Sequence, residues 1–151
     1  MARKPPAFQE HPVSFADAID HGLVRGVCLY VSDGDTADFL LDLGWFQYSY
    51  TLLRFKGIDA PEIRRGTEKE KAKGQETKRR VTELIFEKPV LIKSYKDKNS
   101  FERFIGDVFI QKEEANPLFT EMKVSYQIQD ASWYSLAELL VKEELAKVAD
   151  F

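Results

Sequence analysis

The chain has 151 residues with 22 Lys+Arg against 25 Asp+Glu, a formal net charge of −3, which is the length of one globular domain and too short for two full-sized ones. Hydrophobic residues make up 44% and aromatic residues 13%, enough to bury a core and too much for an intrinsically disordered chain. The mildly acidic total argues against a protein that coats nucleic acid or an anionic membrane, although net charge hides any segregation of charge along the chain.

Residues 1–22, MARKPPAFQEHPVSFADAIDHG, read as an N-terminal extension ahead of a single domain over 23–151. They lack the run of roughly 7–15 apolar residues that a secretion signal requires. No stretch of the chain approaches the roughly 20 apolar residues of a membrane span. The expectation for the chain as given is a soluble, cytoplasmic protein with no membrane partner, taken as a monomer by default. Leu23 to Ser32 is β-rich, with Val27, Leu29 and Val31 alternating against Cys28, Tyr30 and Ser32, and it ends at the turn-forming Asp33-Gly34-Asp35. Cys28 reads as a small buried packing residue. As the single cysteine it excludes an intramolecular disulfide and a cysteine-based zinc site, and two histidines, His11 and His21, exclude a histidine-rich one.

A second strand is expected from Thr36 to Leu43 and a third from Phe46 to Lys56, broken by Gly57. Tyr48 and Tyr50, at period two, read as core or cross-strand packing in preference to base-stacking platforms. Glu68 to Phe86 reads as a helix burying Thr77, Val81, Leu84 and Ile85, stopped by Lys88-Pro89. Strands follow at Val90–Tyr95 and, after the polar turn 96–100, at 104–110 with Phe104, Gly106, Val108 and Ile110 on the buried side. Residues 113–134 are irregular, with a β-like run from Met122 to Ile128, and read as an insertion carrying a hairpin. A final helix starts at Ser135, whose hydroxyl and Glu138 form a capping box ahead of Leu136, Leu139 and Leu140. The order β-β-β-α-β-β-α gives an α+β, mainly β, fold: a five-stranded OB-type barrel with two or three packed helices.

Charge is segregated along the chain. Arg54 to Phe104 holds 15 Lys+Arg against 9 acids, whereas the remainder holds 7 against 16. A basic middle third is the footprint a polyanion needs, but charge alone favours a solvated helix in which Glu68, Glu70, Glu76 and Glu83 pair with the lysines. Three short stretches can gather charged groups at a barrel rim: Asp33-Gly34-Asp35-Thr36, Arg54 through Glu62, and Arg103. Two or three carboxylates from Asp33, Asp35 and Asp59, with a carbonyl and waters, suit calcium or, less comfortably, magnesium, while Asp-Gly-Asp alone is an ordinary turn signal. Arg54 projects opposite to Leu53 and Phe55, and guanidinium groups grip phosphate oxygens bidentately. Glu62, held after Pro61, can orient or deprotonate water.

The blocks DGDT (33–36), LRFKGIDAPE (53–62), KGQETKRR (73–80), RFIGDVFI (103–110) and SLAELLVKEELAKV (135–148), in this order, resemble the staphylococcal nuclease (thermonuclease) family. The resemblance implies a calcium-dependent phosphodiesterase acting on DNA, preferably single-stranded, and on RNA. It matches Asp35 and Asp59 to the carboxylates that hold one Ca2+, Ala60 to the backbone carbonyl ligand, and Asp33 to a supporting acid. Arg54 and Arg103 match the phosphate-clamping arginines, and Glu62 the glutamate acting on the attacking water. The implied reaction is in-line attack of water with departure of the 5′ oxygen, leaving 3′-phosphate ends. Ser100-Phe101-Glu102 stand where the namesake has Lys-Tyr-Gly, and Asp150 and Phe151 where nucleotide-contacting tyrosines would be sought. Lys98 and Phe101 remain as candidate substrate contacts. The alternative is a nucleic-acid-binding OB-type module without catalysis, against which the full set Asp35, Arg54, Asp59, Glu62 and Arg103 argues.

Overall fold

Alternating apolar residues build three long strands, β1 (Val24–Asp33), β2 (Thr36–Gly44) and β3 (Gln47–Phe55), each antiparallel to the next. The computed structural model describes residues 22–95 and 104–150; His11, His21, Lys98, Phe101 and Arg103 lie outside them. A two-residue strand, β4 (Ile58–Asp59), leads into helix α1 (Glu68–Ile85), and β5 (Pro89–Tyr95) and β6 (Phe104–Gln111) follow. β5 pairs with both β1 and β6. The ring closes where Leu53–Phe55 of β3 run parallel to Phe104–Gly106 of β6. The result is the expected closed barrel of five strands.

Inside it, Phe39, Leu53, Phe55 and Ile92 meet Val81 and Ile85 of α1. Each such side chain stabilises the fold by roughly 1.5–3 kcal/mol on burial. Helix α1 is capped by Thr67, whose hydroxyl accepts from the Glu70 amide at 3.2 Å, and it buries Thr77, Val81, Leu84 and Ile85 as its spacing predicts. It also buries Gly74. A Cβ there would lie 2.6 Å from the Pro61 carbonyl oxygen, so only glycine lets the helix press against the 60–62 segment.

Expectations for the strands are corrected: Phe104, expected on the buried side with Gly106, Val108 and Ile110, is the first residue of β6 and is 58% exposed. In β1 a register shift between Cys28 and Tyr30 is a β-bulge, which moves the side chains after it to the other face. Cys28 (0% exposed) and Val31 (4%) are therefore the buried pair, while Val27 and Leu29 face outward. Burial also pushes the Cys28 thiol up to about 11. Of the two readings of Tyr48 and Tyr50, the cross-strand one holds and the core one does not: they stand opposite Asp42 and Leu40. They are 60% and 65% exposed, because β3 buries its odd-numbered residues Thr51, Leu53 and Phe55 and turns the even ones outward.

The 113–134 stretch does contain a hairpin, β7 (Tyr126–Ile128) with β8 (Ala131–Ser135), and β8 adds to the far end of β6. It is joined to the main core: Phe119, in a short 3-10 helix, packs edge-on against Tyr134 with ring centroids 5.1 Å apart. Arg80 of α1 reaches Glu113 (2.7 and 2.9 Å) and Glu143 (2.6 and 2.9 Å), tying helix, loop and C-terminal segment together. Helix α2 (Leu136–Lys142) starts at Ser135, whose hydroxyl accepts from the Glu138 amide. After it the chain forms β9 (Lys147–Val148), which pairs with β4. No helix among the described residues is long and apolar enough to cross a membrane.

Candidate active site

The β1–β2 turn, the end of β3 and β4 meet at one rim of the barrel, brought together by strand pairing. Thr36 stands opposite Arg54 across β2 and β3, and the Phe55 amide donates to the Asp35 carbonyl at 2.8 Å. Asp35 is 7% exposed, and a buried carboxylate requires partners. It has three: the Thr36 hydroxyl on Oδ1 at 3.0 Å, the Ala60 amide on Oδ2 at 2.8 Å, and the Arg54 guanidinium.

Arg54 also reaches Asp59 Oδ1 at 3.2 Å, so one guanidinium bridges the two carboxylates, a buried one and an exposed one. Asp59 is held from the other side by the β4–β9 pair, in which it stands opposite Lys147, and by the Ala149 amide donating to the Gly57 carbonyl. The Thr77 hydroxyl donates to the Leu145 carbonyl at 2.7 Å, fastening that C-terminal segment to α1.

Next to Asp59 opens a cleft of about 770 Å³, lined by Ala60, Pro61 and Glu62, by Lys69 and Lys73 of α1, and by Leu145 to Lys147. Its size suits a small ligand or part of a polymer. Glu62 stands exposed at its wall, at the end of the segment that Gly74 allows to pack. Asp33, half-buried, ends β1 opposite Thr36. Among the described residues no three acidic, histidine or cysteine side chains gather to hold a metal, so Asp33 does not join Asp35 and Asp59 in one cluster. The structure thus brings together Asp35, Arg54, Asp59 and Ala60, with Glu62 alongside.

Sequence reasoning missed Lys147, Lys69 and Lys73 as cleft residues. The lysines of α1 carried only a general basic signal, and a two-residue strand such as β9 has too short a pattern to read.

A family model described as staphylococcal nuclease homologue matches residues 52–151. No curated protein matches the chain.

Proposed function

Because this chain belongs to the staphylococcal nuclease homologue family, we propose that it is a calcium-dependent nuclease hydrolysing phosphodiester bonds of DNA, preferably single-stranded, and of RNA. Membership itself supports nuclease or nucleic-acid-binding function. The finer reading is carried by one observation, the bridge from Asp35 through Arg54 to Asp59 at the edge of the cleft that Glu62 lines.

The donor set fits a hard cation. Two carboxylates and the Ala60 carbonyl offer oxygen only, and the remaining positions of a calcium shell are commonly water. That both carboxylates already hold a guanidinium marks this as a point where positive charge is favoured. Asp35, Asp59 and the Ala60 carbonyl would hold the single ion. When bound, the ion supplies Lewis-acid polarisation of a phosphoryl oxygen.

The chain's own side chains do the rest. Arg54, with Arg103 assigned by resemblance, neutralises charge developing on the phosphoryl oxygens. Glu62 orients the attacking water or takes its proton. Water attacks the phosphorus in line with the P–O5′ bond, which breaks as the new P–O bond forms; the 5′ oxygen leaves as a hydroxyl with a proton from solvent, and the phosphate stays on the 3′ end.

Incubation of denatured DNA with calcium or with chelator tests the proposal. Cleavage in calcium only, lost in Arg103→Ala, is the expected outcome; cleavage unaffected by chelator overturns it. The reading as a binding module without catalysis draws on Arg54 being engaged by two carboxylates. Oligonucleotide binding with no cleavage at any calcium concentration would select it.

A further inference from the structure

The outer face of the β2–β3 hairpin is largely apolar, with Asp42 and Asp38 set opposite Tyr48 and Leu52 in register. Trp45 and Phe46 at its tip are 92% and 96% exposed, and Tyr48, Tyr50, Leu43 and Leu52 extend the surface down the strands. Gly44 pairs with Gln47, so Trp45 and Phe46 form a two-residue turn, and both have positive φ, 55° and 57°. That turn favours Asn-Gly, and bulky side chains in the left-handed region are strained. The protein therefore holds two large rings in water at a position where small residues would be more stable, a cost that points to function.

The four aromatics, at ~150–250 Å² each, together with the leucines expose on the order of 800 Å². That exceeds the largest patch of an ordinary monomer and equals what each partner contributes to a standard stable interface.

Charge narrows the occupant. From Thr36 to Leu53 there is no Lys or Arg, and the charged residues are Asp38 and Asp42. A phosphate polymer or an anionic bilayer needs the cations this surface lacks. Both acids already hold a hydrogen-bond donor: the Tyr50 hydroxyl donates to Asp38, and Asp42 accepts from the Gly44 amide at 2.9 Å. Each carboxylate therefore keeps a hydrogen-bond donor when the face is covered by a second copy.

We propose that the outer face of the β2–β3 hairpin is a homodimer interface, packed against the same face of a second copy about a two-fold axis, the aromatic tip of each lying over the strand aromatics of the other. Isologous contacts of this kind are the commonest route to soluble oligomers.

Sedimentation velocity of the full chain in chelator, over a roughly hundredfold range around micromolar, provides the test. The variant W45N/F46G installs the pair the turn prefers and so keeps the hairpin folded, which circular dichroism verifies. Tyr50→Lys probes the strand face separately. A wild type that passes from monomer to dimer with concentration, and two variants that stay monomeric, are expected. A wild type monomeric throughout, or variants that dimerise equally, overturns the proposal. So does a monomeric wild type that floats with phosphatidylcholine vesicles while W45N/F46G does not, which would assign the face to a bilayer.

Discussion

Asp35 and Glu62 lie at opposite ends of a scale running from structural to purely chemical residues. Asp35 is buried and accepts from the Thr36 hydroxyl and the Ala60 amide while pairing with Arg54. Asp35→Ala leaves a buried amide and a guanidinium without that partner, at a cost of about 1–3 kcal/mol, and also removes a proposed calcium ligand. Glu62 is exposed, and Glu62→Gln keeps its shape, so its stability should stay within about 0.5 kcal/mol of wild type while cleavage falls by ~10²–10⁴-fold. Urea unfolding and a DNA cleavage assay on the two variants separate these effects. Equal losses of stability in both would mean that Glu62 has a structural role. The alternation in Leu53-Arg54-Phe55 made the outward direction of Arg54 legible in the sequence. Its bridging of two carboxylates was not, because that depends on strand register and on where a two-residue strand leaves the barrel.

Among the elements, α1 positions the site, and Arg80 fixes α1. Its guanidinium holds Glu113 and Glu143, and Glu83 one turn further along. The Arg80 hydrogen bonds hold the Glu113 carboxyl below the usual glutamate range. A carboxylate whose folded-state pKa is depressed contributes stability that is complete above its unfolded value and is lost as pH falls through the folded one. Arg80→Ala should therefore lower stability at neutral pH by about 1–3 kcal/mol and flatten the acid-side decline that Glu113 causes in the wild type. Chemical unfolding across the acid range checks both, and a parallel offset at every pH would remove Glu113 from the account. Helix α1 itself was readable almost to the residue, since Thr77, Val81, Leu84 and Ile85 repeat at helical spacing. The Arg80 clamp was hidden, because its partners lie 33 and 63 residues away in sequence. The bulge in β1 was hidden too: a bulge breaks the period-two alternation by which strands are recognised.

For the molecule as a whole, closure of the barrel matters more than any single strand. The family match begins at residue 52, yet β1 and β2, which precede it, are two of the five strands in the ring and supply Cys28, Val31, Ala37 and Phe39 to the core. The turn between them supplies Asp35, so fold and candidate site both depend on the stretch outside the match. The segregated charge takes the paired form expected of α1, with Lys71 near Glu68 and Lys73 near Glu76, both at 3.7 Å. Lys69 and Lys73 line the cleft together with Glu70 and Glu76 of the same helix, so the part of the basic middle third that faces the proposed substrate is charge-balanced. The inward position of Cys28 has a practical consequence. It is the chain's one thiol, 0% exposed, with its pKa raised to about 11, and the thiolate is the reactive form. An alkylating reagent should modify the native protein only through opening of the barrel. Mass spectrometry of timed labelling at increasing urea should give modification rates that track global unfolding, and rapid labelling without denaturant would place Cys28 in a locally mobile segment. The ring of strands thus carries its own stopwatch, an atom that starts reacting only when the ring comes apart.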